Sequence, residues 1–177
     1  AFDGCENLRK ISVPNCAVIG KVAFSGCSSL KYFDSSNVKE LGERAFSECS
    51  SLEYFDVSNV KELGESAFKN CSSLKQVVLS KDATYIPYGC FEGCKSLVSI
   101  NLENIKKIGI DAFRDCKKLA FVDLSSCEKL EYEDDETSSL YGYASNFCDC
   151  YALEKVILGK NLKIITKNCF SGCMSLS

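Results

Sequence analysis

Apolar positions in this chain recur on a scale of about 22 residues, far longer than the periods of roughly 3.6 or 2 that mark a single helix or strand. Phe2, Phe24, Phe46, Phe68, Phe91, Phe113, Phe147 and Phe170 are separated by steps of 22, 22, 22, 23, 22, 34 and 23 residues. A Cys follows each Phe by three residues, at Cys5, Cys27, Cys49, Cys71, Cys94, Cys116, Cys150 and Cys173. A Leu follows three residues later again, from Leu8 and Leu30 through to Leu153 and Leu176. Three columns, each filled eight times out of eight, define an internal repeat. A period of roughly 20 to 50 residues decides the architecture before local propensities do.

Within a repeat, the Leu is followed by an alternation such as Val77 and Leu79, Ile100 and Leu102, or Val122 and Leu124. That is the two-residue period of a short strand with one buried face. A second apolar pair then precedes a Gly, as in Val38 with Leu41-Gly42, Val60 with Leu63-Gly64 and Ile105 with Ile108-Gly109. It reads as the turn that carries the chain back to the next Ala-Phe. Ala, Phe and Cys at i, i+1 and i+4 suit one helical turn with a single inward face. One such unit cannot bury its apolar side alone, so neighbours must stack around a shared core, each buried Phe or Leu contributing roughly 1.5–3 kcal/mol. The pattern predicts a single domain over 1–177, with full repeats starting near 1, 23, 45, 67, 90, 112 and 146, a partial eighth from 169, and an insertion at about 131–143. Both ends fall inside a repeat, so the chain is expected to be a fragment of a longer array.

Composition narrows the class without changing that picture. Over 177 residues, 46% hydrophobic and 25% charged positions are ordinary for a soluble globular protein. A net charge of −3 offers no basic stripe, so no nucleic-acid partner is expected. No apolar run reaches the roughly 18 residues of a membrane-spanning helix, so no direct membrane insertion by this segment is expected.

Thirteen cysteines admit a disulfide framework, a metal site or buried thiols. Eight fill the Cys column, Cys90 and Cys169 stand where Ala is usual, and Cys16 and Cys127 stand where Val38, Val60 and Ile105 do. A thiol that alternates with Ala or Val behaves as a small hydrophobe, which favours buried, reduced cysteines. Vertical pairing within a column is sterically open, since stacked strands lie about 4.8 Å apart and disulfides accept Cα separations of about 4.4–6.8 Å. It would, however, pull side chains away from the Phe and Leu beside them. The chain has no His, and the Cys spacing is the repeat period itself, so no metal or other cofactor is expected. Cys148 alone lies outside the inward columns and is expected to be solvent-exposed.

The run Cys-x-x-Leu followed by alternating apolar residues, an apolar-Gly pair and then Ala-Phe-x-x-Cys resembles the BspA-like, Treponema-pallidum-type leucine-rich repeats. The likeness covers the chain apart from the insertion and rests on the Ala-Phe and Cys columns. It implies an α/β solenoid: a right-handed leucine-rich-repeat superhelix with a parallel sheet on its concave face and short helical or irregular turns on the convex side. It also implies an extracellular or cell-surface location and a role in adhesion or host-protein binding. Ser35 in a strand column, Asn146 in the Ala column, and Pro87, Glu131 and Thr166 in place of Gly depart from the pattern.

If Leu8, Ile11 and Val13 point inward, every repeat presents the same outward positions on its strand. One outward column then holds Tyr32, Tyr54, Gln76, Ser99, Phe121 and Lys155, and the next holds Asp34, Asp56, Asn101 and Asp123. Tyr32, Tyr54 and Phe121 are the candidate anchors for a protein or glycan ligand, because aromatic residues concentrate at interface hot spots. Asp34 and Asp56 fall one coil apart, close enough to couple or to share a cation. Acid-base catalysis would require an enclosed pocket that separates their pKa values, and a sheet face predicts none, so no enzyme is expected. In the insertion, Tyr141 and Tyr143 are candidate contacts beside an acidic stretch. The alternative reading is a structural spacer, or an array that self-associates end to end.

Overall fold

The protein is represented by a computed structural model that describes residues 1–131 and 145–177. Tyr141 and Tyr143 lie outside the described residues. The chain winds into stacked coils, each beginning at one Phe of the repeat. The described residues form eleven short strands: β1 (Lys10–Ile11), β2 (Val18–Ile19), β3 (Tyr32–Phe33), β4 (Glu40–Leu41), β5 (Tyr54–Val57), β6 (Gln76–Leu79), β7 (Tyr85–Ile86), β8 (Lys107–Ile108), β9 (Phe121–Leu124), β10 (Lys129–Leu130) and β11 (Lys155–Leu158).

Among the described residues all pairings are parallel and join one coil to the next. On the side that follows the column Leu, β1 pairs with β3, β5 with β6 and β9 with β11. A second side was not anticipated: the apolar pair before the Gly, read from sequence as a turn, forms another parallel ladder, β2 with β4 and β7–β8–β10 in series. The column Gly is needed here because backbones approach closely. A Cβ on Gly64 would lie 2.3 Å from the Gly42 carbonyl carbon of the preceding coil.

The expected helical turn, and with it the α/β class, is corrected. Among the described residues there is no helix, and the Ala-Phe-x-x-Cys segment is a third inter-coil ladder. Val22, Phe24 and Gly26 donate their N–H groups to Glu43, Ala45 and Ser47 of the next coil at 2.8–2.9 Å, while Ala23 between them and Cys27 after them bond back three residues. An α-helix needs successive amides to bond four residues back, and here every second amide is committed to a neighbouring coil. The alternation is achieved by left-handed residues on either side of Ala-Phe. At the start of the third coil they are Arg44 and Glu48, with φ of 53° and 63°. Val22, β-branched, holds φ at 57°, a conformation costing about 1–2 kcal/mol that the three ladders must offset.

The core is a set of vertical columns. The eight column Phe rings stack at centroid separations of 5.1–5.9 Å, nearly parallel, and Phe33 and Phe55 pack edge-on against them. The column cysteines are more than small hydrophobes. Each thiol from Cys27 to Cys173 donates to the carbonyl of the Phe in the coil before it, Cys49 to Phe24 and Cys71 to Phe46 at 3.1 Å for example. A parallel ladder of serine hydroxyls, Ser28 to Glu6, Ser50 to Ser28 and Ser72 to Ser50, runs along the outside.

Asn146 shows how the stack resumes after the insertion. Its buried side-chain amide donates to the carbonyls of Gly109 at 2.8 Å, Glu131 at 3.1 Å and Ile108 at 3.2 Å. Where the column usually holds Ala, this side chain ties three carbonyls of the two preceding turns together.

Candidate binding face

The register places the sequence-predicted positions in vertical files. Lys10 lies opposite Tyr32, Tyr54 opposite Gln76, Phe121 opposite Lys155, and Asp56 and Asp123 opposite Val78 and Ile157. Tyr32, Tyr54 and Phe121 retain 52%, 42% and 42% of their surface, whereas their strand neighbours Phe33, Phe55 and Val122 are buried. Gln76, Ser99, Asn101 and Lys155 are exposed too, and Asp34, Asp56 and Asp123 are half-buried. The face therefore carries large apolar side chains on a backbone that the core holds in place.

The acidic file does a different job from the one its spacing suggested. Asp34, Asp56 and Asp123 each accept the N–H two residues on, from Ser36, Ser58 and Ser125 at 2.8–3.1 Å, and Asn101 accepts that of Glu103. These are Asx turns that end the strands. The Ser36 hydroxyl and amide hold the Asp34 carboxyl below its ordinary range, and the Ser125 amide and hydroxyl do the same for Asp123. The oxygens of Asp34 and Asp123 are thereby committed as acceptors within their own turns. Among the described residues, no three His, Cys, Asp or Glu side chains converge to hold a metal ion.

Outside this face, the second ladder carries a polar strut over three coils. Tyr85 donates to Glu131 at 2.8 Å, Lys107 bridges the same carboxylate at 2.9 Å, and the Lys107 ammonium lies 4.9 Å from the Tyr85 ring centroid. Burial and the Glu131 carboxylate push the Tyr85 phenol well up.

The core thiols are protected. Burial, then the neighbouring Cys27, pushes Cys49 up to about 12, and Cys71, Cys94 and Cys116 are raised by the same burial. Cys148, expected to be solvent-exposed, is half-buried and is pushed up to about 11 by burial and by Asp149. It is thus no activated nucleophile, since the thiolate is the reactive form. Iodoacetamide at pH 8 is expected to modify exposed Cys5 first and to leave Cys71, Cys90, Cys94 and Cys116 unmodified in the native protein. Peptide mass mapping checks this, and rapid labelling of Cys94 would contradict the closed core.

A parallel-sheet solenoid whose coils are closed by stacked Phe and a Cys ladder, and whose strands offer one open face, defines a leucine-rich-repeat scaffold. The family model for the BspA type leucine-rich repeat region matches residues 1–120 and 143–177, in six copies, and the chain belongs to this family. Among solved structures, a leucine-rich repeat protein of T. pallidum is 25% identical with a TM-score of 0.68, covering 93% of this chain and 74% of that one. A leucine-rich repeat protein from Bacteroides ovatus is 28% identical with a TM-score of 0.65, covering 78% of this chain and 34% of that one. A leucine-rich cell surface protein from Faecalibacterium prausnitzii is 29% identical with a TM-score of 0.51, covering 82% and 31%. The chain thus spans about a third of the length of the last two proteins. Comparison with curated proteins finds no match. Leucine-rich-repeat families are in general protein-interaction modules and non-catalytic scaffolds, and this chain is one of them by family.

Proposed function

We propose that this chain is a non-catalytic binding module of a cell-surface or secreted adhesin-like protein, engaging a protein or glycan through its strand face. The observation that carries the reading is the file of exposed aromatics. Tyr32, Tyr54 and Phe121 stand outward from strands whose alternate residues are locked in the core, so their burial by a partner requires little ordering of the backbone. The likeness to a leucine-rich cell surface protein supports the location.

The test is a screen of immobilised extracellular-matrix proteins and glycans against the folded chain. Any ligand found is expected to lose at least about thirtyfold in affinity when Tyr32, Tyr54 and Phe121 are all replaced by Ala, the equivalent of about 2 kcal/mol. Undiminished binding by the triple variant, with an unchanged melting curve, would remove these residues from the interface.

A further inference from the structure

The strand-side ladder is broken between β3 and β5 and again on both sides of the fifth coil, the one that begins at Phe91, and it is at the junction of the fourth and fifth coils that a cleft on this face accompanies the break. Among the described residues, no backbone hydrogen bond joins Gln76–Leu79 of the fourth coil to Ser99–Leu102 of the fifth. The main-chain groups of Ser99, Ile100 and Asn101 have no main-chain partner in the sixth coil either. The junction is tied before the opening by Val98 N–H to the Lys75 carbonyl at 3.4 Å, and again beyond it by Lys106 N–H to the Thr84 carbonyl at 2.7 Å. Elsewhere on this side β5 and β6 make a full four-residue pairing, so the strand geometry itself is not at fault.

Two features of the sequence coincide with the opening. The step from Phe68 to Phe91 is 23 residues where 22 is usual, with the added residue between Leu74 and Ala83. Ala83 in turn occupies the file that Val38, Val60 and Ile105 fill with larger side chains. The result is a cleft of about 600 Å³ between the fourth and fifth coils. Its floor is Val77, Leu79, Ala83, Ile100 and Ile105, and its rim includes Gln76, Lys81, Ser99, Asn101 and Glu103. Leu79 is only half-buried here, while its counterparts Val57, Leu102 and Leu124 are fully buried. Val98, 50% exposed, and Phe121 stand on the same face as the opening.

We propose that this cleft receives an extended polypeptide segment of a protein partner, with one apolar side chain seated on the floor and the segment's backbone bonded to Ser99–Asn101. The proposal rests on the interaction-module reading above and names the kind of partner. A ligand that covers unpaired amides and carbonyls must satisfy them or leave them buried at a cost. An extended peptide supplies alternating donors and acceptors at the strand repeat of about 3.3 Å, which is the basis of recognition by strand addition. A sugar carries hydroxyls in no such register. The floor selects an aliphatic or aromatic side chain, and the volume lies within the roughly 300–1,000 Å³ of ordinary ligand pockets. The outward strand positions beside the opening, Gln76, Val78, Val98, Ser99 and Asn101, are uncharged and suit a neutral backbone, while the charged rim residues Lys81 and Glu103 stand past the strand ends.

Selection of a random nine-residue peptide library, displayed on phage, against the immobilised chain tests this. Enriched sequences are expected to share one apolar anchor, and the synthetic peptides are expected to bind at least tenfold more weakly to Ala83→Ile, which fills the floor. Ser99→Trp, which obstructs the rim without touching the core, is expected to have the same effect and stands in if Ala83→Ile melts early. N-methylation of the peptide amides flanking the anchor is also expected to cost at least tenfold. Absence of any enriched peptide overturns the proposal, as does binding indifferent to both variants or to N-methylation. Peptides that lose affinity on Tyr32→Ala and Tyr54→Ala but bind Ala83→Ile normally would overturn the cleft and leave the broader interaction reading standing.

Discussion

Raising the pH from about 8 to about 11 under reducing conditions is expected to unfold the protein cooperatively, with the midpoint near pH 10. The cause is the buried thiols. Cys49, Cys71, Cys90, Cys94, Cys116 and Cys169 all have their ionisation pushed up by burial, Cys49 to about 12. In the unfolded chain a thiol ionises near 8.5. A folded-state pKa above the unfolded one means the folded state holds its protons longer. The associated stability is therefore complete below about pH 8.5 and is lost as pH rises toward the folded values. Each such thiol loses about 1.4 kcal/mol per pH unit in that window, so the six together lose about 8 kcal/mol per unit. Domains are stable by only about 5–15 kcal/mol, and one to two units above the threshold suffice. Urea midpoints measured by circular dichroism from pH 8 to 11 check this, and a midpoint at pH 10.5 equal to that at pH 8 would contradict it.

Replacing Phe68 with Ala is expected to cost roughly 3–5 kcal/mol, the range for deleting a fully buried aromatic side chain. Phe68 has no exposed surface and stacks between Phe46 at 5.9 Å and Phe91 at 5.6 Å, with Phe55 edge-on at 5.0 Å. No neighbour can collapse into the gap without leaving its own column, because every ring in the file is braced from both sides. For a chain of this size the loss corresponds to a fall in Tm of roughly 6–20 °C. Phe170→Ala, at a half-buried ring stacked on Phe147, is expected to cost less than half as much. Differential scanning calorimetry of the two variants decides the point. Equal losses would show that the stack does not behave as a column of nearest-neighbour contacts.

The repeat columns were legible because each position is sampled eight times, so a residue's inward direction is set by its file and not by one side chain. On that basis the strand register and the outward aromatics could be written down before any coordinate. The Asx turns were also present in the sequence, as Asp34, Asp56 and Asp123 each two residues before a Ser. An Asp two residues before a Ser carries that signal locally, because the side chain reaches the amide two residues on within one turn. The helical turn was misread because Ala, Phe and Cys at i, i+1 and i+4 specify only which side is apolar. Whether the amides of Val22, Phe24 and Gly26 bond back along the chain or across to the next coil depends on carbonyls about 21 residues away.

The cleft belongs to the same category. An added residue after Leu74 and a small Ala83 are visible in the sequence, but an extra residue in a loop leaves most sheets intact. Only the stacked coils show the fourth and fifth coils unbonded there. What the sequence by itself determined is the solenoid, its Phe, Cys and Leu files and the residues that face outward, because a 22-residue period can bury its apolar side in one way only, by stacking. Tertiary structure alone decided the second and third ladders, the thiol-to-carbonyl bonds and the opening beside Ser99–Asn101. Each of these depends on how closely two coils approach, a distance set by the packing of side chains that lie far apart along the chain.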